Sequence, residues 1–510
     1  MNQTLADGIQ HAMAAAPEQG AIEFGGTWYT WGTVAALMNG VESLVAGAGL
    51  GQSAPVAVLL RNRPALLAAA LQVLKSQRCL VTINPFQGPE KVASDLQKMN
   101  CAVVIADPQD WVTPAVSDAV RSTGAIGVFV QMQPEATVAT VAGLDRLGAG
   151  PFQEEQPGVA VLMLSSGTTG PAKRIKLPSR QLEEAFANAA QYEKGRPQDG
   201  DSVRRALSAC VLSGPLVHIG GLYFALDAVL AGRPIALLEK FNVADYVRVL
   251  KMHRPKAASL PPAALRMLLD AKLDPELFSS ILAMRAGSAP LSPELKQQFE
   301  ATYKVPVLDV YGATEFAGAV AGWSLEDHKL FNGTKIGSVG RAQAGVQLRL
   351  IDPVTSEIVS TGVGILEVKA AQIDPDQWMR TTDLAEIDAD GFLYIRGRSD
   401  DAVIRGGFKV LPREVEAMFR EHPAVHEAAV VGIPEERLGA VPVAAIELKD
   451  GAPATTEQEL LAFARSRLVS YQVPTQLRIV KTIPRTPSLK ISQFEVKNLF
   501  LNPVTPVTPV

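Results

Sequence analysis

Residues 164–176 read Leu-Ser-Ser-Gly-Thr-Thr-Gly-Pro-Ala-Lys-Arg-Ile-Lys and follow directly on the apolar run 159–164. A short apolar run bounded by Gly, Ser and Thr reads as a buried strand. The glycines let the following loop bend until several backbone N–H groups face one point. Such a nest binds anions, and the hydroxyls of Ser165, Ser166, Thr168 and Thr169 with the Lys173 ammonium strengthen it. The natural occupant is a polyphosphate. The loop is not a Walker A sequence, which needs Gly-Lys followed by Ser or Thr; Lys173 stands between Ala172 and Arg174. A plain polar surface turn is the alternative. The density of such residues between an apolar run and a basic segment weighs against it.

Outward from that loop the chain alternates apolar runs with helix-like stretches. Residues 55–60, 79–83 and 102–106 read as strands, and 64–75 as a helix. The pattern returns with strands at 234–238 and 257–260 around a helix at 243–253. Buried parallel strands with crossover helices explain this texture. From 335 to 369 short alternating segments with Gly and Pro, such as 346–351 and 365–368, suggest a small β-rich subdomain. Near Gly397 a third texture begins: a strand, a turn at Gly406 and Gly407, a helix at 412–422, strands at 425–433 and 441–448, and a helix at 456–468. About 110 residues is an ordinary domain size. The expected fold is therefore α/β: a large N-terminal domain of βαβ-type sheets with a small β subdomain, and a small mobile α+β C-terminal domain. The boundaries are 1–397, a hinge at 398–400, and 401–502, with a disordered Pro-Val-Thr tail at 503–510.

The totals narrow the class. A chain of 510 residues exceeds one hydrophobic core. With 47% hydrophobic and 20% charged residues it is globular. A net charge of −4 gives no reason to expect nucleic acid. Cys79, Cys101 and Cys210 form no CxxC or Cys/His cluster, so neither a zinc site nor a disulfide framework is supported, and a reducing cytoplasm fits. No secretory signal pattern opens the sequence, and the apolar run 65–74 is too short to span a membrane. A homodimer is left open.

Three further motifs bear chemistry. Tyr311-Gly312-Ala313-Thr314-Glu315 follows the apolar 305–310. A hydroxyl beside a carboxylate at a strand end suits a magnesium–phosphate site, although Thr-Glu alone is commonly a helix cap. Thr381-Thr382-Asp383 is followed by Arg396-Gly397-Arg398. An acidic side chain there can accept ribose hydroxyls, against the plainer reading of a turn with a surface ion pair. Pro484-Arg485-Thr486-Pro487-Ser488-Leu489-Lys490 sets a lysine on a proline-bounded loop.

In this order and spacing the four motifs resemble the acyl-adenylate-forming superfamily of acyl-CoA synthetases, peptide-synthetase adenylation domains and luciferases. The likeness runs from about residue 25 to 497. It implies ATP, magnesium and coenzyme A. Ser165, Ser166, Gly167, Thr168, Thr169, Gly170 and Lys173 would hold the ATP phosphates. Thr314 would contact phosphate and Glu315 would hold the metal. Gly287, Ser288 and Ala289 with Asp309, Tyr311 and Gly312 would frame adenine, and Asp383 and Arg398 the ribose. Asp400 falls at the hinge. Lys490 matches the lysine of the adenylating step, and Gly406–Gly407 the loop that admits CoA. His218, Gly220, Gly221, Tyr223 and Ala317 match the acyl pocket, with His218 as its gate; a core histidine is the plainer alternative. The implied activity is that of an acid–thiol ligase. It converts a carboxylate to acyl-AMP and then to acyl-CoA.

Two positions depart from the family pattern. Arg174 replaces the last glycine of the phosphate loop and is expected to add charge near the phosphates. Leu489 replaces the glycine before the lysine, and is strained if that position needs positive φ. No carboxylate lies near 212–222, Asp227 being the nearest, so an amino acid is disfavoured. A hydrophobic aromatic or short-to-medium aliphatic acid is expected. The runner-up is a free-standing enzyme that loads an aryl or acyl acid onto a carrier protein. A silent binding protein would not need Lys490, Glu315 and Asp383.

Overall fold

The computed structural model describes residues 4–164, 173–190 and 208–501. Residues 165–172 of the expected phosphate loop and the C-terminal Pro-Val-Thr tail lie outside the described residues. The chain divides into two compact units. The first takes in the described residues up to Val346 together with 369–377. The second takes 347–368 and the described residues from Trp378 onward.

In the first unit a seven-stranded sheet runs in the order Thr137–Thr140, Ile126–Gln131, Val103–Ala106, Pro55–Leu59, Cys79–Ile83, Val159–Leu164, Arg174–Pro178. Its centre is parallel and its two edge pairings are antiparallel. The central strands Pro55–Leu59 and Cys79–Ile83 are buried at every residue. This is why they read as unbroken apolar runs: both faces are covered. The helix Pro64–Lys75 starts with proline, whose missing N–H costs nothing at a first turn. Every side chain from Pro64 to Leu74 is buried. The helix packs on sheet strands and against the helices Leu5–Ala14 and Trp31–Gly47. A helix apolar all round needs such a setting; each of its buried leucines contributes about 2 kcal/mol.

A nine-stranded sheet follows the order Arg341–Ala342, Gly318–Gly322, Val307–Ala313, Ala283–Ala286, Ala257–Leu260, Cys210–Leu212, Ile235–Leu237, Gly20–Phe24, Thr27–Thr30. Two further sheets have five strands each. One includes Asp374–Ile387 paired antiparallel with Leu393–Arg398. The other, in the second unit, is built on Val425–Glu435 and Gly439–Leu448. Burial pushes the Cys79 thiol up to about 12, as for a small core residue. No helix among the described residues is long and apolar enough to cross a membrane.

The charge that Arg174 is expected to add is offset by an ion pair with Asp95. Arg174 Nη1 donates to the carbonyls of Thr82 (2.6 Å) and Leu162 (3.2 Å), and Nη2 pairs with Asp95 on the helix Pro89–Met99. Both side chains of the pair are 15% exposed. The guanidinium ties an edge strand to the sheet. Arg174→Gly, which restores the family residue, should lower stability by about 3 kcal/mol because it leaves Asp95 a half-buried, unpaired charge. It should change ATP affinity by less than about two-fold, ~0.4 kcal/mol. Urea unfolding and ATP titration check both; lost affinity with intact stability would return Arg174 to the nucleotide.

Candidate active site

The strand Val307–Ala313 lies parallel to Ala283–Ala286 and turns back antiparallel as Gly318–Gly322. Between the two arms Thr314–Phe316 forms one 3-10 turn, and Ala317 has φ 55°. The arms approach so closely that a Cβ on Gly312 would stand 2.3 Å from the Gly318 carbonyl oxygen. Only glycine fits there. Two buried amides hold the turn. Gln181 Nε2 donates to the Glu315 carbonyl (2.6 Å), and Gln372 Nε2 donates to the Phe316 carbonyl (3.0 Å). Asn188 in turn donates to Gln372 Oε1 at 3.3 Å. Sequence reading missed both glutamines, since neither lies in a motif. The turn leaves the Glu315 side chain exposed and Ala317 fully buried.

Among the described residues no three His, Cys, Asp or Glu side chains cluster to hold a metal on their own. One exposed carboxylate fits magnesium, which keeps its waters and binds through one or two carboxylates plus substrate phosphates.

Register sets Ala286 opposite Asp309, so Gly287, Ser288 and Ala289 lie beside 309–312. A Cβ on Gly287 would stand 2.7 Å from Val310 Cγ2. Ser288 is held at φ 68°, an uncommon conformation for a residue with a side chain. Asp309 is buried. The helix Ile219–Leu230 begins just after His218, which is half-buried at the cap position and makes no side-chain cap. A Cβ on Gly220 would reach 3.5 Å from Ser288 Oγ, and one on Gly221 would stand 2.2 Å from the Pro215 carbonyl oxygen. Tyr223 donates to the Ala185 carbonyl (3.3 Å), stacks on Phe186 (4.8 Å between centroids) and borders Gly318. Buried Asn62 fixes the preceding turn: its Oδ1 accepts from the Leu216 N–H (2.8 Å), and its Nδ2 donates to the Gly214 and Leu238 carbonyls, both at 3.0 Å. It too was missed. The structure thus brings together the expected acyl segment, the expected adenine segments and the Thr-Glu turn. Asp227 sits half-buried on the helix Ile219–Leu230.

Ser165 to Gly170 of the expected phosphate loop lie outside the described residues. Their flanks do not: Leu164 pairs with Arg174 across the ladder, and Lys173 is exposed.

In the second unit Asp383 and Arg398 face each other across antiparallel strands. Arg398 donates to both oxygens of Asp400, at 2.9 and 2.8 Å, and this pairing raises its pKa further. Burial works against the charged form of Asp400, yet Arg398 holds its carboxyl below the usual range. Gly406 and Gly407, at φ 56° and 88°, form the two-residue turn between Val403–Arg405 and Phe408–Val410. Positive φ at both positions is what a type I′ hairpin requires. Leu489 has φ 62°, so the leucine does stand in the left-handed region, at a cost of about 1–2 kcal/mol. Burial lowers the pKa of the neighbouring Lys490.

Residues 9–373 match the sequence model of the AMP-binding enzyme family, and 414–490 that of the AMP-binding enzyme C-terminal domain. The chain belongs to the AMP-binding enzyme family. The resemblance to acyl-adenylate-forming enzymes stands, and with it the class of acid–thiol ligase. A sulfoacetate–CoA ligase of Cupriavidus necator is 28% identical over 491 residues, 92% of each chain. The 4-coumarate–CoA ligase 5 of Oryza sativa subsp. japonica is 28% identical over 495 residues, 92% of this chain and 89% of its own. The fold is that of ATP-bound MatB from Rhodopseudomonas palustris, with TM-score 0.81 and 22% identity over 98% of this chain and 99% of that one.

In this AMP-binding enzyme the turn that carries Glu315 depends on its buried amides. Gln181→Leu removes the donor to the Glu315 carbonyl, and an unsatisfied buried acceptor costs about 1–3 kcal/mol. Expected is a matching loss in urea unfolding and, on the expectation that Glu315 holds magnesium, a raised magnesium requirement for adenylation. An unchanged magnesium dependence would show that Gln181 does not place Glu315.

Proposed function

We propose that this AMP-binding enzyme is an AMP-forming ligase joining a hydrophobic carboxylic acid to coenzyme A. The observation that carries the reading is the meeting of Gly220 with Ser288, and of Tyr223 with Gly318, in a segment without carboxylates between 212 and 222. Gly220 at the helix start leaves room, Gly221 admits the close approach of the Pro215 carbonyl that sets the segment, and Tyr223 limits the space. The names of the relatives, ligases of 4-coumarate and sulfoacetate to CoA, support the thiol acceptor over a carrier protein.

In the first half-reaction the substrate carboxylate attacks the α-phosphorus of ATP and pyrophosphate leaves. The loop from Ser165 to Lys173 cradles the phosphates through backbone N–H groups and hydroxyls. Thr314 donates to phosphate. Glu315 would hold magnesium, which would supply positive charge against the phosphates. Lys490 places an ammonium where negative charge grows. Gly287 to Ala289 and Asp309 to Gly312 frame adenine, and Asp383 and Arg398 take the ribose hydroxyls. In the second half-reaction the CoA thiol attacks the acyl carbonyl and AMP leaves. Rotation at Asp400, within 398–400, exchanges Lys490 for the Gly406–Gly407 turn, and His218 gates the path between carboxylate and thiol. The reaction needs no cysteine nucleophile. A cytoplasmic setting is part of the same proposal.

ATP–pyrophosphate exchange across benzoate, 4-coumarate, hexanoate, octanoate, malonate and sulfoacetate tests the substrate class. Exchange strongest with the aromatic or aliphatic acids, followed by CoA-dependent AMP release, is expected; each buried methylene should add about 0.8 kcal/mol until the pocket ends. Exchange only with malonate or sulfoacetate would overturn the hydrophobic assignment, and exchange without any CoA response would point to a carrier protein. Lys490→Ala should abolish adenylation and spare thioester formation from supplied acyl-adenylate. The adenylation rate should fall at alkaline pH with an apparent pKa below the ordinary lysine range, because burial favours the uncharged amine. Equal loss in both halves, or no alkaline limb, would remove Lys490 from that role.

A further inference from the structure

The loop that carries Lys490 is closed by several hydrogen bonds. Ser492 N–H donates to the Pro484 carbonyl (2.9 Å), Thr486 N–H to the Lys490 carbonyl (2.7 Å), and Leu489 N–H to the Thr486 carbonyl (2.8 Å). Arg485 and Ile491 bridge across its base. Ile483 N–H donates to Glu447 Oε2 (2.8 Å), and fully buried Ile483 pins the loop to the sheet. Leu489 is the weak point of this frame. At φ 62° it adopts a conformation that glycine takes freely and leucine resists. Relaxation of that residue swings the backbone of the next one, which is Lys490.

One side chain opposes the relaxation. Arg485 Nη1 donates to the Leu489 carbonyl at 3.1 Å. Its Nη2 lies 3.8 Å from Glu427 Oε2 on the strand Val425–Glu435. Glu427 is itself gripped by Arg420 Nε at 2.8 Å. The guanidinium therefore reaches from a fixed carboxylate on the sheet to the carbonyl of the strained residue. A charge-assisted hydrogen bond of this kind is about twice as strong as a neutral one.

We propose that Arg485 is a positioning residue: it clamps Leu489 in the left-handed conformation and so aims Lys490 for adenylation, in place of the glycine that would need no clamp. The proposal rests on the reading of Lys490 given above. A misplacement of about 1 Å in such a group costs up to ~100-fold in rate.

The test is a double-mutant cycle on the full chain with Arg485→Ala, Leu489→Gly and both, using the panel acid with the fastest exchange. Arg485→Ala should lower kcat for adenylation at least about ten-fold, leave the KM for ATP within about two-fold, and spare thioester formation from supplied acyl-adenylate. Arg485→Lys should recover part of the loss. Adding Leu489→Gly to Arg485→Ala should restore adenylation to within about three-fold of wild type, because coupled residues are not additive. Hydrogen exchange supplies a readout that needs no substrate. The Thr486 amide should lose protection in Arg485→Ala and regain it in the double variant. Additive losses, equal loss in both half-reactions, or Thr486 protection unchanged in Arg485→Ala would overturn the clamp. If Lys490→Ala still adenylates, the reading of Lys490 fails, and the Thr486 comparison still decides whether Arg485 holds the loop.

Discussion

The turn at 314–317 is the constraint on which the first unit's site depends. Its carbonyl at Phe316 is buried and that at Glu315 partly so, and they are met by amides from Gln372 and Gln181. An unmet acceptor of that kind costs about 1–3 kcal/mol. With the turn fixed, the close passage of Gly312 by Gly318 follows, and the strand Val307–Ala313 keeps its register with Ala283–Ala286. That register places Ser288. Ser288 and Gly318 in turn border Gly220 and Tyr223 of the acyl segment. A polar turn, a strained serine and an apolar helix start are thus parts of one arrangement, joined by side-chain contacts and by the Gly312–Gly318 passage, which a Cβ would block.

The second unit solves a related problem with charge. Arg398 is engaged with Asp400, two residues away, so a residue assigned to the ribose and one assigned to the hinge share a bidentate pair. Arg485 likewise joins a carboxylate on the sheet to a loop carbonyl. In both places an arginine engages a carboxylate, and Arg485 a backbone carbonyl as well, a task for which its planar fork of donors is suited.

Much of this was legible in the sequence, for physical reasons. The strands Pro55–Leu59 and Cys79–Ile83 are buried on both faces and therefore contain almost nothing but apolar residues. The helix Pro64–Lys75 could be bounded by its proline and its lysine. The Gly406–Gly407 turn and the left-handed Leu489 follow from the φ that each position requires. The supports were not legible. Gln181 lies 134 residues from the carbonyl it satisfies, and Asn62 lies 154 residues from Leu216. A lone amide in a helix or loop carries no mark of such a distant partner. The partner of Arg174 was not legible either: its place beside the expected phosphate loop suggested phosphate, whereas it pairs with Asp95 on another element. Short or half-exposed strands such as Thr27–Thr30 lack the apolar run that marks a central strand.

The central claim is that this fold makes an acyl-adenylate before any thiol is present. Single-turnover rapid quench with ATP, magnesium and the preferred acid, with CoA withheld, tests it most directly. The account predicts stoichiometric acyl-AMP and pyrophosphate on the enzyme, followed by a burst of AMP and acyl-CoA once CoA is added. Pyrophosphate that appears only after CoA is added, or ADP in place of AMP, would contradict it.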